Sequence, residues 1–492
     1  MPNEPPRIAT GIPGLDPVLE GGLLVGGVYI LQGPPGAGKT ILANQLCCYH
    51  ACAGRRAIYF TLLSESPAGM LSHLARMQFL CTEAVGDALV YFSGYKVLQE
   101  EGLLGLARLV GKAMTDRSPA VVVLDGFAAV SHAANSPNEL NQFVRQVQTF
   151  SASVGCTTLL VNSESPDSGV RPEHTIVDGI IALSDDLRGL RSLRHLQVHK
   201  SRGARQVRGR HTVEITDRGM VVHARFEAES ARLGAASARL GATATPVRDA
   251  GLGRRRFGVA ELDTMMNGGV PSGSLTMLLG CSGAGKTTLA LQYLSAGAAD
   301  GEIGLFFGMY EQPTELLAKS DRLGIPLRDG LDAGRIHMTW ERPIEGVLDV
   351  LAERLIARLR ETGATRLCID GLHSLFRTVD FPERMRAVSA ALAEELGGLG
   401  VTTVYTLETL DLVPGHGAAM RIPIDDLSAI CHNIITLRLI ERDGQFDRML
   451  AIMKMRDSDY DRSVRELTIT DHGVVLVPRA RRGGRGRTDR KR

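Results

Sequence analysis

The chain contains the same unit twice. The segment GIPGLDPVLEGGLLVGGVYILQGPPGAGKTILA begins at Gly11, and GVAELDTMMNGGVPSGSLTMLLGCSGAGKTTLA begins at Gly258, in register and without a gap. Further downstream the repeat is marked by matching pairs, which are Pro67 and Pro313, Asp125 and Asp370, and Glu164 and Glu408. A repeat of this length requires two similar units, and it excludes one small domain as the fold of these 492 residues.

Within each copy, short β-branched runs alternate with helical stretches. The first copy reads GVYILQG, a helix after GAGKT, AIYFTLL, a helix near 67–80, AVVVLDG, a helix near 137–153 and TTLLVNS; the second repeats the order with SLTMLLG, IGLFFGMY, RLCIDG and TTVYTLE. This alternation predicts the α/β class, with a mostly parallel twisted sheet and helices on both faces. The later segments LRHLQVHK, HTVEI, DRMLAIMKM and RELTIT predict an antiparallel extension of each sheet.

The boundaries of the repeat predict four segments. These are a first domain over residues 1–226, a linker over 227–250, a second domain over 251–478 and a basic tail over 479–492. The linker is rich in Ala, Gly, Ser and Arg and has few large apolar residues, although a short helix around 227–240 fits its sequence. The tail carries eight Lys or Arg against one Asp and is expected to be disordered.

Both copies contain a phosphate-binding loop (P-loop) of the pattern G-x-x-x-x-G-K-[ST]. The first is Gly33, Pro34, Pro35, Gly36, Ala37, Gly38, Lys39 and Thr40; the second is Gly280, Cys281, Ser282, Gly283, Ala284, Gly285, Lys286 and Thr287, with Thr288 next. Each follows a strand and precedes an apolar helix, which is the context that the pattern requires. Backbone N–H groups of such a loop hold phosphates, the lysine bridges the β- and γ-phosphates, and the threonine binds Mg²⁺. Two sites for ATP and Mg²⁺ are therefore predicted.

Acidic residues complete the predicted sites. Asp125 and Asp370 end buried strands, where a carboxylate acts on Mg²⁺ together with Thr40 and Thr287. A hydrolase also needs a carboxylate that polarises the attacking water. In both copies a single glutamate stands two residues before a proline, and these candidates are Glu65 and Glu311. The alternative reading is that they are helix-start carboxylates favoured by the helix dipole.

Two K-x-R pairs lie late in the copies. They are Lys200 with Arg202 and Lys454 with Arg456. The chain has only eight lysines, and four of them are in the two P-loops and these two pairs, which favours a function in contacting phosphate across a subunit boundary. The alternative is that they are solvated charges that protect a sheet edge.

Other features bear on the environment of the chain. No run approaches about 18 apolar residues, and the first residues lack the apolar core of a secretory signal, so a cytoplasmic protein without a membrane span is expected. The eight cysteines form no C-x-x-C pair, which favours reduced thiols in packing positions.

Over about residues 7–478 the sequence resembles the KaiC family of tandem RecA-like ATPases. The resemblance rests on the two P-loops, on G-[IV]-x-x-[LF]-D with a following GG turn ahead of each, on the single Glu before Pro, and on Lys454-Met455-Arg456 followed by Arg465-Glu466-Leu467. It implies two stacked rings of a homo-hexamer, with ATP bound between neighbouring subunits and reached by the neighbour's K-x-R pairs. It also implies slow hydrolysis in the N-terminal ring and serine/threonine autokinase activity in the C-terminal ring.

The sequence departs from this family in three places. The family has two adjacent glutamates where this chain has Ser64-Glu65 and Tyr310-Glu311, so the first carboxylate is missing in both copies. The family's adjacent Ser-Thr phosphoacceptors appear here as Ser428 and Ala429, which leaves Ser428 as the candidate acceptor. The alternative is that Ser428 only caps or packs a helix near residues 424–433. The C-terminus does not resemble the family's long regulatory tail.

The interpretation favoured by the sequence is a ring-forming, Mg²⁺-dependent ATPase that acts in signalling through an unidentified protein partner, with serine/threonine autokinase activity as a further expectation. Two alternatives stay open. One is a RecA-type DNA-dependent ATPase or recombinase, favoured only by the basic tail, because a near-neutral body with one Trp offers no evident surface for stacking bases. The other is a nucleotide-gated scaffold with negligible turnover, which the missing glutamates favour.

Overall fold

The fold is taken from a computed structural model, which describes residues 5–63, 66–163, 172–188, 190–239, 253–342, 347–378, 381–409, 427–442, 444–456 and 458–478. The chain divides into two compact units, of which the first ends at Arg232 and the second begins at Leu233. In the described ranges, no helix combines the length and the apolar character that crossing a lipid bilayer requires.

The elements of the first unit alternate between strand and helix. Its strands are β1 (Arg7–Ile8), β2 (Leu23–Leu24), β3 (Val28–Gln32), β4 (Ala57–Thr61), β5 (Leu89–Ser93), β6 (Val121–Asp125), β7 (Thr157–Asn162), β8 (Gly179–Arg188), β9 (Arg191–Ser201), β10 (Arg210–Thr216) and β11 (Gly219–His223). Its helices are α1 (Leu15–Val18), α2 (Lys39–Cys52), α3 (Pro67–Leu74), α4 (Tyr95–Arg117), α5 (Phe127–Ala133), α6 (Pro137–Val154) and α7 (Pro172–Ile176), and α8 (Phe226–Arg239) follows.

The second unit repeats this order. Its strands are β12 (Arg254–Arg255), β13 (Val270–Pro271), β14 (Leu275–Gly280), β15 (Gly304–Gly308), β16 (Ile336–Trp340), β17 (Arg366–Asp370), β18 (Thr402–Glu408), β19 (Asn433–Arg442), β20 (Gln445–Met455), β21 (Arg465–Thr470) and β22 (Gly473–Pro478). Its helices are α9 (Ala260–Met265), α10 (Lys286–Ala299), α11 (Pro313–Arg322), α12 (Leu327–Asp332), α13 (Leu348–Thr362), α14 (Leu372–Arg377), α15 (Met385–Gly398) and α16 (Leu427–Ile430).

Each unit is built on a nine-stranded sheet. The strand order is β11-β10-β9-β8-β3-β7-β6-β4-β5 in the first unit, and the equivalent order β22-β21-β20-β19-β14-β18-β17-β15-β16 in the second. Six strands of each sheet are parallel, from β8 to β5 and from β19 to β16, and the other three extend the sheet in antiparallel pairs. The predicted parallel sheet with an antiparallel extension is confirmed.

Helices cover both faces of the first sheet. Leu31 and Val123 belong to a buried core that includes Leu46 of α2, whereas the preceding residues Ile30 and Val122 belong to a second buried core on the other face. Successive strand residues point to opposite faces, so a strand that is apolar throughout must be covered on both. The predicted α/β class with helices on both faces is confirmed.

Two expectations about local structure need correction. The helix predicted near 67–80 ends at Leu74, and further along the Gln78 N–H donates to the carbonyl of Asp217 at 2.7 Å. The sequence reading missed the strands β5 and β16 together with the long helices α4 and α13. The short helix that fits the linker sequence around residues 227–240 is present as α8, and residues 240–250 of the linker lie outside the described residues.

The G-[IV]-x-x-[LF]-D segment precedes each P-loop strand, and its aspartate holds the backbone of the chain that leads into the strand. In the second unit the carboxylate of Asp263 accepts hydrogen bonds from the N–H groups of Phe257 at 2.6 Å and Gly258 at 3.0 Å. The GG turn follows, and Gly269 has a φ of +119°, with a Cβ there overlapping the carbonyl of Arg255. Both the backbone angle and the close approach therefore require glycine at this position.

We expect Gly269→Ala to destabilise the second unit by at least about 2 kcal/mol, because it adds a backbone clash to a strained φ. Gly268→Ala is the matched control, since its φ of +103° is equally unusual but its Cβ would meet only the Arg254 side chain, at 3.7 Å. Urea unfolding followed by fluorescence measures the difference, because the chain's single tryptophan, Trp340, lies in the second sheet. Equal midpoints for the two variants would contradict this explanation.

Candidate nucleotide-binding sites

Each P-loop lies between a central strand and a 14-residue helix. The first follows β3 and leads into α2, which begins at Lys39 directly after Gly38. Gly38 has a φ of +100°, and a Cβ there would lie 2.6 Å from Ile215 and 2.8 Å from Met220. The second loop has the same position between β14 and α10. Unpaired N–H groups at the start of each helix therefore face the loop, which is an arrangement suited to phosphate.

The P-loop lysines are held inside their loops. Lys39 Nζ donates to the carbonyls of Gly33 at 2.7 Å and Pro34 at 2.8 Å. Lys286 Nζ does the same to the first two carbonyls of its loop, at 2.9 and 2.8 Å. Burial lowers the pKa of both amino groups. Among the described residues neither forms an ion pair with a carboxylate, so a phosphate group fits these sites as the missing counter-charge.

Asp125 and Asp370 lie beside the P-loop threonines, as the sequence predicts. Thr40 Oγ1 is 3.5 Å from Asp125, and Thr287 Oγ1 is 3.1 Å from Asp370. The two carboxylates are only 8 % and 6 % exposed, and burial raises the pKa of each. Hydroxyl and carboxylate oxygens are the donors that Mg²⁺ prefers, so each Thr–Asp pair fits a Mg²⁺ ion chemically.

Each of these carboxylates also accepts a buried hydroxyl that the sequence reading missed. Tyr59 of β4 donates to Asp125 at 2.6 Å, whereas Thr406 of β18 donates to Asp370. The position of Tyr59 is occupied by Phe306 in the second unit. The two copies therefore stabilise the same aspartate from strands on opposite sides. A hydroxyl-bearing residue inside a buried strand is the signal that would have pointed to these groups.

Glu311 lies in the second site and is ion-paired. It lines a cavity of about 470 Å³ that also contains the second P-loop, Asp370, Tyr310 and Lys319. Lys319 Nζ contacts both carboxylate oxygens of Glu311, at 2.9 and 3.0 Å. Burial is the main cause that raises the pKa of Asp370, and the negative charge of Glu311 also raises it. The equivalent candidate in the first copy, Glu65, lies outside the described residues.

A second acidic residue, Glu408, lines the same cavity. It ends β18, next to the P-loop strand, and its charge opposes the lowering of the Lys286 pKa that burial causes. Leu407 pairs with the residue just before the second P-loop, and Asn162 pairs with the residue just before the first. The residues that follow them, Glu408 and Ser163, are therefore equivalent. The sequence match of Glu164 with Glu408 is therefore shifted by one residue, and only the second copy has an acid at this position.

The K-x-R pairs lie at the end of each sheet that is opposite to its own P-loop. Lys200 of β9 pairs with Ile180 of β8, which pairs with Ile30 of β3, three residues before the P-loop begins. At about 3.3 Å per strand residue this is roughly 10 Å of separation. Lys454 of β20 has the same relation to the second P-loop. The structure thus does not bring these cations to the phosphate site of their own copy.

Both pairs point toward a short helix at that end. Lys200 Nζ donates to the carbonyls of His174 and Thr175 at 2.9 and 3.0 Å, and Arg202 donates to Thr175 at 3.1 Å. Burial and the neighbouring arginine lower the pKa of each lysine in the two pairs. The two cations of each pair therefore lie close together at a partly exposed position, and in the first pair Arg202 is also 3.4 Å from a carboxylate oxygen of Asp178.

Ser428 lies beside the second K-x-R pair. Lys454 Nζ donates to the Ser428 carbonyl at 2.6 Å, and Arg456 donates to the carbonyl of Ala429 at 2.6 Å. Since α16 precedes β19, the serine is at the amino end of the parallel strands. Ser428 is therefore near Lys454 and Arg456, whereas the P-loop of its own copy lies at the opposite end of the parallel strands.

A duplicated α/β fold with a P-loop, its lysine and a Thr–Asp pair in each copy defines a tandem P-loop nucleoside triphosphatase. A family model for the KaiC ATPase matches this chain twice, over residues 8–227 and 256–481. The chain belongs to the KaiC family of ATPases, and its membership supports ATP binding and ATPase activity in general.

Relatives match nearly the whole chain at low identity. The circadian clock oscillator protein KaiC of Rippkaea orientalis is 24 % identical over 484 residues, covering 96 % of this chain and 88 % of that protein. KaiC 1 of a Synechocystis species is 24 % identical over 481 residues, and KaiC of Synechococcus elongatus is 23 % identical over 482, each covering 95 % of this chain and 88 % of the relative.

The pKa of Asp370 gives a pH prediction. Burial raises it and the Thr406 hydrogen bond opposes that rise, so Thr406→Val should raise it further. A protonated carboxyl does not hold Mg²⁺, so the weakening of Mg·ATP binding on acidification should begin at higher pH in the variant. Fluorescent ATP analogue titrations from about pH 8 to about pH 5 in a Lys39→Ala background measure this at the second site alone.

Thr403→Val is the matched control, because this residue lies on the same strand at the level of Leu367, away from Asp370. A Thr406→Val profile that coincides with the profile of the control would show that the hydroxyl does not set the ionisation of Asp370.

Proposed function

We propose that the chain is a Mg²⁺-dependent ATPase that assembles into a homo-hexameric ring, in which each ATP is bound by the P-loop of one chain and by a K-x-R pair of the next. The observation that carries this proposal is the placement of both pairs at the sheet end opposite to their own P-loops. A ring of identical chains joins one surface to a different surface of the neighbour, which is how two separate ends of one sheet meet.

The roles of the site residues follow from their positions. Lys39 and Lys286 bind the β- and γ-phosphates, and the pairs Thr40–Asp125 and Thr287–Asp370 hold the magnesium ion, which when bound supplies charge neutralisation of the phosphates. Glu311 orients the attacking water, and Glu65 is assigned the same role from its equivalent place in the sequence repeat. Glu311 supports this role by lining the cavity of the second P-loop together with Asp370.

We expect ATP-dependent assembly. Light scattering after size exclusion should give about six times the 52.9 kDa chain mass in Mg·ATP and smaller species without nucleotide. Arg202→Ala combined with Arg456→Ala should shift the ATP form toward smaller species, because the contacts to the neighbour's phosphate are lost. Arg208→Ala with Arg462→Ala is a matched loss of two exposed charges. An unchanged mass and unchanged turnover in the first pair would leave the K-x-R residues as edge charges.

We also propose that the second unit phosphorylates Ser428 of a neighbouring chain. Ser428 is held beside Lys454 and Arg456 and is remote from the P-loop of its own copy, which supports a donor ATP on another chain. In the transfer the Ser428 hydroxyl oxygen bonds to the γ-phosphorus of ATP, the bond to the bridging oxygen breaks, ADP leaves, and Glu311 of the donor site accepts the hydroxyl proton.

Mixing two variants tests this transfer. Lys286→Ala lacks the second ATP site and Ser428→Ala lacks the acceptor, so neither is expected to gain phosphate alone. In the mixture with Mg·ATP, the Lys286→Ala chain should gain one phosphate, which intact-mass spectrometry distinguishes by the masses of the two chains. If wild-type chains gain no phosphate, the protein acts as an ATPase only; a gain by Lys286→Ala alone would place the donor elsewhere.

A further inference from the structure

The second site contains a lysine that the P-loop motif does not account for. Lys319 is on α11, eight residues after Glu311, and it lines the same cavity as the P-loop and Asp370. Helical side chains slant toward the helix N-terminus, so a lysine in this helix reaches back to the residues that precede it. Its ammonium contacts both oxygens of Glu311, at 2.9 and 3.0 Å.

This ion pair contributes little to stability. The Lys319 and Glu311 side chains are 30 % and 35 % exposed, and ion pairs at such exposed positions are typically worth about 0–1 kcal/mol. What the contact does fix is the direction of the carboxylate. A carboxylate held at both oxygens has far fewer orientations than a free glutamate at the start of a helix.

The neighbouring residue is fixed as well. The Ser374 hydroxyl donates to the Tyr310 hydroxyl, and the Tyr310 ring packs so closely on Gly371 that a Cβ there would lie 2.6 Å from the ring. Gly371 follows Asp370 directly. The contacts of Tyr310 thus hold its segment against the end of β17. Lys319 contacts the side chain of the next residue, Glu311. Glu311 is therefore held from two sides beside the candidate metal ligand.

We propose that Lys319 is a positioning residue for the second site, which orients the Glu311 carboxylate for the attacking water or hydroxyl. This inference rests on the proposed role of Glu311. The lysine acts through the glutamate and does not serve as a further phosphate ligand. In the first copy the equivalent helix position is His73, which stands as far after Pro67 as Lys319 stands after Pro313. The pairing of a lysine with the glutamate is therefore a feature of the second copy.

The test is steady-state phosphate release and ATP-analogue affinity in a Lys39→Ala background, so that turnover comes from the second site. Lys319→Met should lower kcat by roughly ten- to a hundredfold, as loss of orientation does, and leave the dissociation constant of the analogue within about twofold. Lys319→Arg should recover most of kcat, because a guanidinium also contacts a carboxylate through two oxygens. Arg322→Met, an exposed charge on the same helix, is the control and should not change kcat.

A double-mutant comparison separates positioning from a structural effect. If Lys319 acts through Glu311, adding Lys319→Met to Glu311→Gln should lower kcat no further. The inference is overturned by additive losses, by weaker analogue binding at unchanged kcat, or by an arginine variant as slow as the methionine variant. Trp340 fluorescence in urea checks that each variant is folded.

Failure of the proposed function gives a different result. If Glu311→Gln keeps the parent kcat, then the role of Glu311 is wrong and the inference falls with it. If Glu311→Gln is slow and Lys319→Met is not, only the inference about Lys319 is wrong.

Discussion

The direction of the parallel strands is the constraint on which the account depends. Parallel strands bring all their carboxyl ends to one edge of the sheet, and that edge is where the P-loops and the two buried aspartates lie. The K-x-R pairs are on the antiparallel extension at the other end of the strands. Roughly 10 Å along the strands therefore separates the two sets of cations in each copy, and the lysines of the K-x-R pairs donate to carbonyls on the side away from the P-loop.

The two copies stabilise the equivalent buried aspartate with hydrogen bonds from different residues. A buried aspartate needs hydrogen-bond donors, and the parallel sheet offers a neighbour on either side of the strand. Tyr59 supplies the hydroxyl from β4 in the first copy, and Thr406 supplies it from β18 in the second. The second site additionally has Lys319 and Glu408 in its cavity. The sites thus share their phosphate-binding part and differ in the groups around the reacting atoms.

The repeated motifs predicted the fold and the phosphate-binding part of each site, because residues in the P-loop and at the end of a buried strand have positions set by local structure. Side-chain contacts between neighbouring strands depend on the register in which the strands pair, and the sequence alone does not give this register. For this reason Tyr59 and Thr406 went unrecognised, and Glu408 was matched to Glu164 when its equivalent is Ser163. The strands β5 and β16 were missed because they are only half-buried, so their apolar pattern is weak.

The central claim is that a complete site needs two chains, and complementation between two inactive chains tests it most directly. One chain carries Arg202→Ala with Arg456→Ala and keeps its P-loops; the other carries Lys39→Ala with Lys286→Ala and keeps its K-x-R pairs. Each alone should release little phosphate from ATP. A mixture is expected to regain a substantial part of wild-type turnover, because an intact P-loop then faces an intact K-x-R pair. A mixture that hydrolyses no more ATP than the sum of its components would contradict it.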